Sequence, residues 1–124
     1  MNGPICLLSH ETSTAEVVVS HDPRQPQPYA IRITRLDGPW LGGAVFSIDF
    51  QGAGALTIST DRHKLSDGNA TLMVADSGFG NVLRGLEANE TALAVLDDQS
   101  VALPLSGAAP EVEKFRTCAN RPSV

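Results

Sequence analysis

Apolar side chains recur at every second position along most of this chain, and turn-forming residues cut the pattern about every ten residues. A period of two sends alternate side chains to opposite faces of a strand. Segments of this kind bury their apolar faces only by pairing edge to edge and stacking as sheets. Ala15, Val17 and Val19 begin the series. Tyr29, Ile31 and Ile33 follow, with Arg32 and Thr34 on the other face. Ala44, Phe46, Ile48 and Phe50 form the most amphipathic segment. Leu56 and Ile58 continue that face beyond a hairpin loop at Gln51-Gly52-Ala53-Gly54. Leu72 and Val74 make a short strand; Thr91, Leu93 and Val95 then pair with Val101, Leu103 and Leu105 across a turn at Asp97-Asp98-Gln99. Asp37-Gly38-Pro39 and Ser66-Asp67-Gly68-Asn69 mark further turns. The connection from His21 to Pro28 holds three prolines, which forbid regular structure there.

Two segments change period. Phe79, Val82, Leu83 and Leu86 fall at helical spacing. Asp76 or Ser77 can cap the start of that helix and Asn89 its end. Gly85 inside it costs about 1 kcal/mol relative to alanine. Pro110 suits the first turn of a second helix, whose apolar side carries Val112, Phe115 and Ala119 and which Arg121-Pro122 ends. Only one helix lies between strands, so parallel βαβ units fit badly. The expectation is one domain over residues 1–124, mainly β: an antiparallel β-sandwich or barrel-like domain with seven or eight short strands and two short helices.

Composition bounds the function. With 124 residues and 42% hydrophobic side chains the chain can form a core without a structural metal. Fourteen acidic against nine basic residues give a net charge of −5, so no cationic excess exists to neutralise nucleic-acid phosphates. No apolar run approaches the roughly 18 residues of a membrane span. Two cysteines, Cys6 and Cys118, lie near opposite ends. They read either as a disulfide clasp holding both ends to the core, which requires an oxidising compartment, or as two unpaired thiols of a cytosolic protein. Met1 to Ile5 show neither the cationic nor the apolar stretch of an export signal, so a periplasmic or secreted location is expected of a mature form.

No catalytic constellation emerges. Gly78-Phe79-Gly80-Asn81 follows a strand and opens a helix, the context of a phosphate-binding turn. The dinucleotide pattern wants its third glycine at position 83, which is Leu83. Ser77 lacks the flanking glycines of a nucleophile elbow, since Ala75 and Phe79 stand there, and is read as a cap. No cofactor or metal site is expected. The polar stretch Asp61-Arg62-His63-Lys64 is the first choice for a contact surface, together with Trp40 in its glycine-rich turn and Tyr29 after the prolines. The alternative is a small metal-dependent or hydrolytic enzyme in which Asp61 and His63 share a proton or bind a metal. Against both stands the plain reading of a solvated edge whose charges discourage strand pairing.

The last third of the chain carries a resemblance. Val101-Ala102-Leu103-Pro104-Leu105-Ser106-Gly107 followed by Phe115-Arg116-Thr117-Cys118 pairs a strand, a Ser-Gly turn and a short helix ending in cysteine. It resembles small exported alphaproteobacterial domains, broadly the invasion-associated locus B family and its uncharacterised relatives. The resemblance implies a periplasmic β-rich domain with a disulfide and no known enzyme activity, and no functional residue carries over from it. The function expected is that of a non-catalytic periplasmic binding or accessory protein. Another envelope protein is the expected partner.

Overall fold

A computed structural model describes residues 5–119, so the Met1–Pro4 opening and the Arg121-Pro122 helix stop lie outside the described residues. The alternating segments become strands β1 (Cys6–Glu11), β2 (Ala15–His21), β3 (Tyr29–Arg35), β4 (Phe46–Gly52), β5 (Leu56–Thr60), β6 (Lys64–Ser66), β7 (Thr71–Asp76), β8 (Asn89–Leu96) and β9 (Gln99–Pro104). The helices are α1 (Gly80–Ala88) and α2 (Ala108–Ala119). One sheet has the order β1-β2-β3-β7-β6 and the other β5-β4-β8-β9, every pairing antiparallel. The two sheets stack as a sandwich, and no closed barrel forms.

Two strands exceed the alternation count. In β1, Cys6 and Leu8 face the core, but Leu7 between them is exposed, so the segment reads as a plain apolar run. β6 has three residues and shows no period at all. At the other limit, Ala44 is exposed and the strand expected to include it begins at Phe46.

The core follows from the registers. Val17, Val19, Ile31, Ile33, Leu72 and Val74 turn inward from one sheet, facing Phe46, Ile48, Phe50, Ala92, Ala94 and Leu96 from the other. Full burial of each large apolar side chain contributes roughly 1.5–3 kcal/mol. The sandwich ends are stoppered differently. At one end Trp40 is 0% exposed, its indole N–H donates to the Ile33 carbonyl at 3.2 Å, and its ring meets Phe46 edge-on. At the other, Tyr29 packs against Phe79 of the turn before α1 and Phe115 of α2.

Helix α1 departs from its expected start. Its N-cap is Phe79, without a side-chain cap bond, because the Asp76 carboxylate instead accepts from the Ser77 N–H at 2.7 Å. Its end is as expected: Asn89 donates from Nδ2 to the carbonyls of Gly85 and Gly54, 3.0 Å each. Gly85 has a packing reason that its helix propensity hides. A Cβ there would lie 2.5 Å from the Phe50 ring, so the missing methyl is what lets α1 settle on β4.

The two cysteines form a disulfide, Cys6–Cys118, between residues 112 apart. It ties the first strand to the last helix, and α2 also packs on β1 and α1 through buried Val112 and Phe115.

Two outcomes follow from this packing. Cys6→Ala with Cys118→Ala, compared with wild type by urea unfolding, will lower stability by about 2–5 kcal/mol while native circular dichroism persists, because Val112 and Phe115 still dock α2. Gly85→Ala, although it raises helix propensity, will destabilise by about 1–3 kcal/mol through the clash with Phe50.

Candidate functional site

The sandwich is closed along the flank where α2 and the disulfide bind β1, and open along the flank where β5, β7 and α1 meet. There the two sheets part around a cleft of about 330 Å³. Ile31 and Val74 line it from the five-stranded sheet, and Phe46, Ile48 and Ile58 from the other. Phe79 and Val82 at the start of α1 form its end wall. Among the described residues, polar groups stand only at the mouth: Ser59, Thr60, Arg62, Asp76 and Asn81. An apolar interior of this size with a few polar groups at its lip is the ordinary form of a small-molecule site, whose volumes run roughly 300–1,000 Å³.

The mouth is electrostatically loose. Arg62 Nη2 lies 3.7 Å from Asp76 Oδ2, and both side chains are well exposed. Such a surface pair contributes at most about 1 kcal/mol, so a ligand group can displace either partner. The first turn of α1 contains no acidic residue and no side-chain cap, which leaves its N–H groups as donors beside the cleft. Ser59 Oγ is engaged with Ser47 Oγ at 2.8 Å across β4 and β5.

The residues singled out in the sequence do not share one surface. Trp40 fills the core at one end of β3, beneath the Arg35 guanidinium. Tyr29 begins β3 at the opposite end, half-buried against the His21 ring at 4.5 Å. Asp61 is exposed in the β5–β6 connection. His63 turns inward, and its Nε2–H donates to the Gly43 carbonyl at 2.9 Å, beside Phe46. Arg62 and Lys64 take the other direction, and of the six only Arg62 reaches the cleft. Of the cleft residues, the sequence presents Ile58 and Val82 as apolar positions of a strand and a helix, Asp76 as a helix cap, and Phe79 both at the helix start and within the phosphate-binding type of turn. The sequence signal is Gly78-Phe79-Gly80-Asn81 opening a helix; that no side chain caps it is seen only in the structure, where Asp76 bonds Ser77 instead.

Among the described residues no histidine or cysteine lines the cleft. His10 Nε2 donates to the Pro104 carbonyl at 2.6 Å and so links β1 to β9. Among the described residues no three His, Cys, Asp or Glu side chains gather as a metal site. No helix among them is long and apolar enough to cross a membrane. Comparison with protein-family models, curated proteins and solved structures finds no match, so the cleft is interpreted from its own geometry.

A second concavity, about 670 Å³, lies on the outer face of the five-stranded sheet. Its floor is Ser20, Ala30, Met73 and Ala75, and the proline-rich connection overhangs it. Asp22 organises that connection. Its carboxylate accepts from the Arg24 backbone N–H at 3.1 Å and from Arg24 Nε at 2.9 Å, and its own N–H donates to the Pro28 carbonyl at 2.8 Å. The Arg24 hydrogen bonds pull the Asp22 carboxyl down to about 2.

A carboxyl lowered on folding stabilises above its ordinary range, and that stabilisation fades as pH falls through its folded value. An NMR titration will therefore place the Asp22 midpoint near 2 in the native protein, and Arg24→Ala will move it up toward the usual carboxylate value of 3.8.

Proposed function

We propose that this protein is a non-catalytic binding or accessory protein of an oxidising compartment, such as the bacterial periplasm. Its ligand in this reading is a small amphipathic molecule held between the two sheets. The observation that carries the reading is the open flank of the sandwich, where an apolar cleft reaches the core and polar groups stand only at its mouth. An apolar body would contact Phe46, Ile48, Ile58 and Val74. A head bearing acceptor oxygens or negative charge would meet Arg62 and the uncapped first turn of α1.

Two further points support the reading. The lining lacks the histidine or cysteine that a nucleophile–base pair ordinarily needs, and each histidine among the described residues is engaged elsewhere in the packing. The Cys6–Cys118 disulfide suits an oxidising compartment. The resemblance of the C-terminal third to exported alphaproteobacterial domains points to the same location.

The test uses 1-anilinonaphthalene-8-sulfonate, an apolar fluorescent anion. It will bind the native protein saturably at one site. Ile58→Trp, which fills the cleft mouth at a half-buried position, will weaken that binding at least tenfold, a loss of about 1.4 kcal/mol. Arg62→Glu will weaken it severalfold. Both variants are to be used only with native circular dichroism, since the dye also lights up partly unfolded states. Absence of saturable binding, or binding indifferent to Ile58→Trp, would refute the proposal.

A further inference from the structure

We propose that copies of this chain associate head to tail, the acidic tip of the β8–β9 hairpin of one copy seating in the cationic groove on the outer face of the five-stranded sheet of the next. The inference rests on two surfaces that complement each other and cannot meet within one chain.

The first surface is the outer groove together with the smaller concavity that adjoins it at Met73 and Ala75, where Lys64 stands. Arg32, Met73 and Lys64 lie side by side in the β3, β7 and β6 registers, on the face opposite the core. Neighbouring strands are about 4.8 Å apart, so the two cations flank Met73 at a backbone separation of roughly 10 Å. Among the described residues neither Arg32 nor Lys64 has an ion-pair partner. Asp22, which also lines the groove, is occupied by Arg24. The result is an unneutralised positive patch on a protein of net charge −5. Beside it, Ile5 and Leu7 leave 51% and 66% of their surface exposed. The small floor residues Ser20, Ala30 and Ala75 leave room for another backbone to approach.

The second surface is at the Trp40 end of the sandwich. Asp97 and Asp98 form the exposed β8–β9 tip, and neither makes an ion pair among the described residues. Leu41 and Val45 stand beside them, 67% and 48% exposed. The arrangement is fixed: Gln99 bonds both the N–H and the carbonyl of Leu41, at 2.7 and 2.8 Å, and the Asp97 N–H donates to the Val45 carbonyl. A rigid hairpin tip thus presents two carboxylates next to two aliphatic side chains.

Five large apolar side chains are exposed among the described residues, and these two surfaces hold four of them, two each. Apolar patches rimmed by charge mark interaction sites, and matched opposite charge sets their register. An anionic membrane is a poorer occupant of the groove. A bilayer is broad and would meet the field of the whole acidic body, whereas a narrow hairpin tip can enter a concavity beneath an overhanging loop. Because the two surfaces differ, the contact is heterologous. Repeated from copy to copy, it builds a ring where its rotation closes and an open chain where it does not.

Sedimentation of the intact, disulfide-bonded protein tests this, up to about 1 mM, where an interface of millimolar dissociation constant is substantially occupied. The weight-average mass is expected to rise with concentration above that of the monomer, to a plateau for a ring and without one for an open chain. Arg32→Glu with Lys64→Glu makes the groove acidic, and Asp97→Asn with Asp98→Lys makes the tip basic; asparagine at 97 keeps a residue that tolerates the φ of +54° there. Each variant alone will stay monomeric, with circular dichroism showing the native fold. Mixed in equal amounts, they will associate again, because the acidic tip of the first meets the basic groove of the second and the basic tip of the second meets the acidic groove of the first. A wild-type protein that stays monomeric overturns the proposal. So does association that survives both charge reversals, or a mixture that fails to reassociate.

Discussion

Burial between the two sheets is the interaction on which everything else depends. No strand ladder runs from one sheet to the other. The layers are joined by interleaved side chains, by the connections that cross between them, and by a few point contacts such as His10 to Pro104. Packing of this kind is strong where facing residues are matched and gives way where they are not. On the β1 flank the match is reinforced. Helix α2 lays Val112 and Phe115 against the core, and Cys118 fixes it covalently to Cys6. On the β5–β7 flank helix α1 closes only one end of the gap, through Phe79 and Val82. The cleft is what remains when one flank of a sandwich is clasped and the other is not.

The first turn of α1 shows how one local choice serves both folding and the site. With Asp76 turned to Ser77 and Arg62, no side chain caps the helix. The donors left over stand beside the cleft, where solvent or a ligand can satisfy them. At the other end of the same helix the economy is reversed. Asn89 caps tightly, and Gly85 lets Phe50 press against the helix backbone. One end of α1 is locked into the core and the other faces an opening.

Much of the fold was legible because a period of two is a strong signal when one face is buried and the other wet. Seven of the nine strands can be read from it; both helices show as a change of period, and the turns at Gly52, Gly68 and Asp97 as clusters of turn residues. β1 escaped because Leu7 is apolar on the outer face, so the alternation vanished. That same exposed Leu7 belongs to a surface groove, which is why it broke the rule. The pairing of Cys6 with Cys118 was one of two readings open to the sequence; the structure closes that choice. The site was much less legible. Trp40 stands out as the lone tryptophan and His63 as part of a polar stretch, yet Trp40 is buried in the core and His63 is half-buried beside Phe46, each with a ring N–H satisfied by a backbone carbonyl. The cleft is made of ordinary Ile, Val and Phe side chains from five separate segments, and their convergence is a property of topology that no local pattern encodes.

The two concavities differ in what holds them in place. The cleft needs both layers at their proper separation, because its walls come from opposite sheets and from α1. It is therefore tied to the quality of the core at Phe50 and Gly85 and to the docking of that helix. The outer groove needs only one sheet and the Asp22-centred loop above it. Its floor is fixed by the β2, β3 and β7 registers, which remain intact if the layers shift against each other. Occupation of the groove can thus leave the cleft free, and filling the cleft places no demand on the groove. Among the described residues, Arg62 is the one side chain bordering both the cleft and the cationic area around Lys64 and Met73. Its exposed, long pairing with Asp76 holds it only weakly at the cleft, so any coupling between the two surfaces would pass through the choice this guanidinium makes between them.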